Sequence, residues 1–232
     1  MSKLLLKNIE LLDTPNGEAN VIAVEDGKIS YIGKDLPDSF AADEVIDGKG
    51  MLATAGMVNT HGHVSMTLLR SYADDMALMD WLENKIWPIE AKMNAKDIYW
   101  GAMLGIAEML KSGTTCFADM YCFMDDVARA VSETGIRANL SRGLIGLAPD
   151  KDDKLAENTQ LVKDWQGYDN GRIRITYGPH APYTCPVEYL QQVIEAAQAN
   201  NAEIQMHLCE TKGEVENCIK EHGVTPIKLM DQ

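Results

Sequence analysis

The alternation of strand-like and helix-like segments after Met51 is the feature that most restricts how this chain can fold. Short apolar runs read as strands, and runs with helical spacing of their apolar residues separate them. The strands are predicted near residues 51–61, 114–121, 136–143, 172–180 and 202–210. The helices are predicted at 95–113, 124–135, 153–168, 187–201 and 213–223, with another beginning at 225. This order predicts a parallel sheet with right-handed crossovers, either doubly wound or a (β/α)8 barrel.

The first 50 residues have a different rhythm, with short β-like runs separated by turn residues. Asp26 and Gly27 lie between two alternating runs and predict a β-hairpin. We therefore expect two domains. Residues 1–55 are expected to form a small antiparallel lobe, an incomplete β-sandwich, and residues 56–232 are expected to form either an open sheet or the amino-terminal part of a truncated barrel.

The number of predicted strands leaves two interpretations of the second domain. No glycine-rich phosphate loop follows the first strand, which argues against a dinucleotide-binding doubly wound sheet. A barrel needs eight strands, whereas a sheet that stops at five exposes hydrophobic edges. The chain is therefore either an open sheet or the first five β/α units of a longer barrel protein.

Composition restricts the partners and the compartment. The 232 residues include 21 Lys and Arg against 35 Asp and Glu, a formal net charge of −14, which disfavours nucleic acid and anionic membranes as partners. No window approaches the length and apolarity of a membrane span, and the amino terminus lacks a signal-peptide core. The five cysteines are an odd number without a CxxC pair. A cytoplasmic location is predicted.

Four of the five histidines fall at the carboxyl ends of predicted strands, where barrel active sites are built: His61, His63, His180 and His207. Residues two apart in a strand face the same side, so His61 and His63 are expected to converge. An HxH tripeptide alone is a weak motif, and His207 at the same edge makes a metal site the better interpretation. Imidazoles suit zinc, and also iron, cobalt or nickel.

Glu210 lies three residues after His207. A carboxylate there can move protons for a metal-activated water without itself binding the metal. Its structural alternative is a solvated helix cap.

Three segments, "GMVNTHGHVSM", "GPHAPYTC" and "MHLCET", resemble the amidohydrolase superfamily, in its cytosine-deaminase-like and chlorohydrolase-like branch. Within that branch the resemblance is greatest to the 5′-methylthioadenosine/S-adenosylhomocysteine deaminases. It extends over nearly the whole chain, including the β lobe and the segment "WLENKIWPIE". One departure is Ala55, which stands where the family usually has proline.

The resemblance implies a role for each matching side chain. It implies one divalent metal, with zinc as the first choice, held by His61, His63 and His207, and Glu210 as the acid/base. It further implies substrate-binding roles: His180 near the metal, Glu90 at the ribose hydroxyls, Trp81 in the pocket wall and Arg142 near the 5′ substituent. From the residues alone, Trp81 is equally a core residue, Glu90 a helix-start carboxylate and Arg142 a surface residue.

The family also has an aspartate ligand after its eighth strand and a histidine after its sixth, and neither has a counterpart here. The resemblance therefore favours a chain that covers the β lobe and about five of eight barrel units. We expect such a piece alone to bind metal weakly and to lack hydrolytic activity. For the intact protein the resemblance implies a homo-oligomer that hydrolyses adenosine thioethers to inosine derivatives and ammonia.

Three alternatives stay open at this point. The first is another member of the branch, a guanine or triazine aminohydrolase or a chlorohydrolase. The second is an amide hydrolase such as a dihydroorotase, but the carbamylated lysine of that group, at the end of the fourth strand, has no match in "RITYGPHAPY". The third belongs to another class, a metal-free pseudoenzyme or an assembly subunit.

Overall fold

A computed structural model describes residues 2–12, 19–36 and 40–231. The chain divides into two compact units, an amino-terminal unit, Met1–Gly56, and a carboxy-terminal unit, Met57–Gln232. Within the described ranges, no helix is both long enough and apolar enough to cross a membrane.

The described residues of the amino-terminal unit form six strands: β1 Lys3–Lys7, β2 Glu10–Leu11, β3 Val21–Glu25, β4 Lys28–Gly33, β5 Glu44–Asp47 and β6 Leu52–Ala53. The predicted hairpin is confirmed, since β3 and β4 pair antiparallel around Asp26 and Gly27, both with positive φ, as a two-residue hairpin turn requires. The predicted antiparallel lobe contains antiparallel pairs, β1 with β3 and β3 with β4, but it also contains two parallel pairs. Strand β5 pairs parallel with β1, and β6 with β2, because the chain returns to each edge through a long connection rather than a tight turn.

The carboxy-terminal unit contains one parallel sheet of five strands: β7 Met57–Asn59, β8 Thr114–Tyr121, β9 Arg137–Leu144, β10 Ile173–Pro179 and β11 Glu203–Ile204. Their spatial order is β11-β10-β9-β8-β7. A doubly wound sheet reverses its order at a switch point, whereas this order runs strictly along the chain. The sheet therefore has the strand order of five consecutive units of a (β/α)8 barrel.

Two of the predicted barrel strands differ from the observed ones. The run predicted as one strand at 51–61 is divided, because β6 is paired with β2 in the amino-terminal unit and only β7 belongs to the parallel sheet. The strand predicted at 202–210 is regular only in β11, which pairs with Thr176 and Tyr177 of β10. In both places the histidines lie in the loop after the strand: His61 and His63 after β7, and His207 after β11.

Helices connect the strands: α1 Leu78–Trp81, α2 Trp87–Glu90, α3 Ala95–Lys111, α4 Met124–Thr134, α5 Lys151–Trp165, α6 Tyr168–Gly171, α7 Val187–Ala199, α8 Lys212–His222 and α9 Pro226–Met230. A π-helical turn, Leu82–Ile86, joins α1 to α2 just before Pro88, which has no N–H for a regular helical bond. Helix α3 begins at a capping box of Asn94 and Asp97. Helices α4 and α8 are each followed by a glycine with left-handed φ, Gly135 and Gly223, which caps the helix end.

The core of the carboxy-terminal unit lies between the sheet and its helices. Phe117 of β8 is 1% exposed, and Leu140 of β9 is fully buried. Ile98 of α3 and Val127 of α4 are also fully buried in the same apolar cluster. Burial of these side chains fixes β8 and β9, and thereby the loops that follow them.

Candidate metal centre and active site

Three histidines meet at the carboxyl edge of the parallel sheet. His61, His63 and His207 each offer one ring nitrogen, and these nitrogens all lie within 4.8 Å of one another. The Nε2 atoms of His61 and His207 are 3.2 Å apart. His61 and His207 line a cavity of about 480 Å³ together with Met120 and Glu210.

The convergence of His61 and His63 does not come from strand geometry. Strand β7 ends at Asn59, and both histidines lie in the loop that leads into a 3₁₀ turn, Val64–Leu69. The side chain of Asn59 accepts a hydrogen bond from the His61 N–H at 3.3 Å, which holds the start of this loop. The two rings therefore meet as predicted, but through the path of this loop and not through the alternation of side chains along a strand.

Backbone carbonyls orient two of the three rings. His63 Nδ1 lies 2.8 Å from the carbonyl oxygen of Met120, and His207 Nδ1 lies 3.0 Å from that of His180. Because a carbonyl only accepts, each Nδ1 carries the proton and each Nε2 presents a lone pair. This second contact of each ring is the usual arrangement of a metal-binding histidine.

The cluster fits a zinc-sized divalent cation. Zinc binds imidazole nitrogen at about 2.0–2.1 Å, so two nitrogens of a tetrahedral site lie about 3.3–3.4 Å apart. The His61 to His207 distance of 3.2 Å is close to that value. Burial lowers the pKa of His63, with smaller contributions from the neighbouring His207 and His61, which favours the neutral form that a metal requires.

His180 lies beside this cluster, with its ring centroid 5.1 Å from that of His207. Burial lowers the pKa of His180 to about 4, so the ring is neutral at pH 7. Its Nδ1 lies 3.0 Å from the hydroxyl of Thr184, which itself donates to the Ala181 carbonyl. The Thr184 hydroxyl therefore accepts from His180 Nδ1, and His180 Nε2 is left as an acceptor.

Glu210 lines the same cavity, and a tyrosine holds its carboxylate. The hydroxyl of Tyr183 donates to Glu210 Oε2 at 2.8 Å. The ring of Tyr183 packs edge-on against His180, with centroids 5.7 Å apart. Burial raises the pKa of Tyr183, and its bond to Glu210 raises it further, so the hydroxyl keeps its proton for this bond.

Glu90 is the last residue of the four-residue helix α2 and lies in its first turn. The hydroxyl of Tyr121 donates to Glu90 Oε1 at 2.5 Å, and the Tyr121 ring lies 6.1 Å from that of His63. Burial raises the pKa of Glu90, while the bond from Tyr121 opposes that rise. Tyr121 thus links Glu90 to the strand that carries Met120.

Two further predicted residues are held by contacts outside the histidine cluster. Trp81 donates from its indole N–H to the Ala73 carbonyl at 3.1 Å. Arg142 pairs with Glu157 at 2.9 Å through Nε and donates through Nη1 to two backbone carbonyls. Its Nη2 makes no hydrogen bond to the residues that the structure describes.

Sequence reasoning missed several residues around the site. Asp119 of β8 is fully buried, and its Oδ2 accepts from the N–H of Val64, next to His63. Its Oδ1 has no partner within the described ranges, and burial raises the pKa of Asp119 to about 7. Glu214 was also missed, although Thr211 and Glu214 have the spacing of a capping box.

Comparison with known proteins identifies the family of this chain. The model of the amidohydrolase family matches residues 52–232. A 5-methylthioadenosine/S-adenosylhomocysteine deaminase from Desulforamulus reducens is 48% identical over 240 residues, covering 100% of this chain and 55% of the relative. The chain thus spans about half the length of the curated relatives that it matches.

Several solved structures with the same fold contain zinc. An adenosine deaminase from Xanthomonas campestris with bound zinc superposes with a TM-score of 0.88 at 30% identity, covering 99% of this chain and 54% of that one. A zinc complex of the atrazine chlorohydrolase of Arthrobacter aurescens gives a TM-score of 0.85 at 21% identity, covering 98% of this chain and 57% of that one, and shares the fold. The fold, the histidine cluster and the matched residues 52–232 together show that this chain belongs to the amidohydrolase family.

Proposed function

We propose that His61, His63 and His207 hold one divalent metal ion, and that this ion is zinc. Support comes from the three ring nitrogens within 4.8 Å and from the orientation of two rings by backbone carbonyls. A zinc ion supplies a Lewis acid, which lowers the pKa of a bound water to about 7. Neutral nitrogen ligands without thiolate distinguish this donor set from a structural zinc site.

We propose that the protein to which this chain belongs deaminates 5′-methylthioadenosine and S-adenosylhomocysteine by hydrolysis. Water adds at C6 of the adenine ring, the exocyclic amine leaves as ammonia, and an inosine derivative remains. Glu210 takes one proton of the water and delivers it to the ring nitrogen, and the second proton, left on the new C6 hydroxyl, passes to the amine, which leaves as ammonia while the C6 carbonyl forms. Tyr183 holds one carboxylate oxygen of Glu210, which leaves the other for this transfer.

The remaining predicted residues bind and orient the nucleoside in this proposal. Neutral His180 offers Nε2 as a hydrogen-bond acceptor beside the cluster. Glu90 accepts from the ribose hydroxyls with the oxygen that Tyr121 does not occupy. Arg142 offers its Nη2 to the 5′ substituent, and Trp81 forms part of the wall.

One observation carries the proposal. Glu210 lines the same cavity as His61 and His207, two of the three clustered histidines, so a metal-activated water and a proton carrier share one space. The names of the curated relatives supply the substrate class, because this chain is 48% identical to one of them over its whole length.

The proposal also covers the setting of the protein. All five cysteines are free in the described structure, which fits a reducing cytoplasm. We propose a homo-oligomer without nucleic acid or membrane as a partner, in line with the net charge of −14. Size-exclusion chromatography with light scattering measures the oligomeric state.

The test uses protein expressed from its complete coding sequence and supplied with zinc. Loss of the adenine absorbance band is followed with methylthioadenosine, S-adenosylhomocysteine and adenosine, and guanine and a chlorotriazine serve as rival substrates. We expect turnover of the thioethers, and a fall of about 10²- to 10⁴-fold in Glu210→Gln. The matched control is Glu216→Gln, an exposed glutamate of α8, which should retain full activity.

Two results would overturn the proposal. Turnover confined to guanine or the triazine would assign the protein to another branch of the family. Absence of bound metal after zinc supplementation, with no turnover of any substrate, would favour the pseudoenzyme alternative.

A further inference from the structure

A second carboxylate lies directly behind Glu210. Glu214, in the first turn of α8, is only 7% exposed. Its Oε1 accepts from the N–H of Cys209 at 3.0 Å, and its Oε2 accepts from the N–H of Glu210 at 2.7 Å. Its own N–H donates to the hydroxyl of Thr211 at 3.0 Å, so both its backbone and its side chain are fixed.

These contacts differ from those of an ordinary capping box. There the carboxylate of the third helical residue bonds to the N–H of the capping residue, which is Thr211 here. Glu214 instead reaches past Thr211 to the two residues before it. The Glu214 carboxylate thus binds the backbone N–H of Glu210 and the backbone N–H of Cys209, the residue before it.

The backbone that Glu214 binds is in an unfavourable conformation. Cys209 has φ 58°, in the left-handed region that residues with a side chain seldom adopt. Such a conformation persists only where the surroundings hold it. The two hydrogen bonds to a buried carboxylate are the contacts that hold it here, because charge-assisted bonds of this kind are the stronger class.

The turn at Cys209 determines the position of the Glu210 backbone, because Cys209 is the residue before it. The ring of His207 is fixed independently, since both its N–H and its Nδ1 bond to the His180 carbonyl at 3.0 Å. Between this fixed ring and α8, the path of the chain depends on the Cys209 turn. Relaxation of that turn moves Glu210 relative to the histidine cluster and leaves the cluster in place.

We propose that Glu214 is a positioning residue that holds Glu210 against the metal site through the backbone of Cys209 and Glu210. The inference rests on the proposed function, in which Glu210 carries the proton. It assigns Glu214 a part in the chemical step, and neither metal binding nor substrate contact. A purely helix-capping role is the alternative that the experiments must separate from it.

The first experiment does not depend on catalysis. Amide hydrogen exchange of the protein expressed from its complete coding sequence is resolved at Cys209 and Glu210 by NMR. We expect both amides to be protected in the wild type and to exchange faster in Glu214→Gln, whose side chain places an NH₂ group against one of the two N–H groups. Exchange of both wild-type amides at the rate of an unstructured loop would overturn the proposal.

The second experiment separates positioning from capping. In Glu214→Gln we expect kcat to fall roughly 10- to 100-fold, the effect of misplacing a catalytic group by about 1 Å, with KM and bound zinc unchanged. The matched control Glu216→Gln removes the same charge from an exposed position of α8 and should leave kcat at the wild-type value. If Glu214→Gln does not fold, Glu214→Asp is measured with the same expectation, since its shorter side chain keeps the charge but not the reach.

A double-mutant cycle gives the decisive readout. If Glu214 acts through Glu210, the change Glu214→Gln has little further effect on the residual rate of Glu210→Gln. Equal fold losses in both backgrounds, or an unchanged kcat in a folded Glu214→Gln protein, would assign Glu214 to capping alone and overturn the inference. A wild-type protein that binds zinc but deaminates no substrate would instead refute the proposed function, and the exchange experiment would still report whether Glu214 holds the loop.

Discussion

The ionisation of Asp119 provides a quantitative test of the interior beside the site. Asp119 is fully buried, and one of its oxygens accepts from the N–H of Val64 while the other has no partner within the described ranges. Burial raises its pKa from the ordinary 3.8 to about 7. The folded protein therefore holds a proton at Asp119 that the unfolded chain has already lost at pH 5 to 7.

The sign of the effect follows from that difference. A carboxyl group with a raised folded-state pKa stabilises the fold most at pH values below 3.8, and this contribution is lost as the pH rises through about 7. Each unit of pKa difference corresponds to about 1.36 kcal/mol. Relative to low pH, the raised pKa of Asp119 therefore lowers the unfolding free energy by about 2 kcal/mol at pH 5.5 and by about 4 kcal/mol at pH 8. Asp119→Asn keeps an oxygen for Val64 and removes the ionisation.

The assay is urea denaturation of the metal-free wild type and Asp119→Asn at pH 5.5 and pH 8. From pH 5.5 to pH 8, we expect the unfolding free energy of Asp119→Asn, relative to that of the wild type, to increase by about 2 kcal/mol. A constant offset from the new amide cancels in this difference, as do the histidines that both proteins share. Asp153→Asn, an exposed aspartate of α5, is the control. A difference that does not change with pH in Asp119→Asn would refute the reasoning.

Three further predictions concern the site and the core. Tyr183→Phe removes the hydrogen bond to Glu210, so kcat should fall about three- to tenfold, the value of one hydrogen bond. The control Tyr189→Phe loses a hydroxyl that is bonded to the Lys151 carbonyl and should leave kcat unchanged. Equal losses of kcat in the two variants would contradict the role of Tyr183. Tyr121→Phe frees Glu90 and should raise KM for the nucleoside roughly three- to tenfold at unchanged zinc content, whereas loss of zinc would point to a structural role. Phe117→Ala should cost about 3–5 kcal/mol in urea denaturation because its side chain is 1% exposed, and a loss below about 1 kcal/mol would place it outside the core.

Local patterns predicted the regular elements well. The strand predicted at 114–121 coincides with β8, and the helix predicted at 95–113 contains α3 and ends at Gly113. These segments combine a clear apolar period with a glycine stop, so the local preference and the tertiary packing agree. The hairpin at Asp26 and Gly27 follows from turn chemistry in the same way.

The site itself needed information that spacing does not contain. The sequence placed His61 and His207 at strand ends, but the rings meet because of loop paths fixed by Asn59 and by the His180 carbonyl. Buried carboxylates such as Glu214 read as helix-surface residues, because burial depends on segments distant in the chain. The roles of the individual site residues stay predictions until variants are measured.

The central claim is that three histidines hold a catalytic zinc ion in this protein. Metal content by mass spectrometry and deamination of methylthioadenosine are measured together for wild type and His207→Gln, each expressed from the complete coding sequence. We expect about one zinc per chain and turnover in the wild type, and loss of both in the variant. Turnover that persists in His207→Gln or after complete chelation of the metal would contradict the central claim.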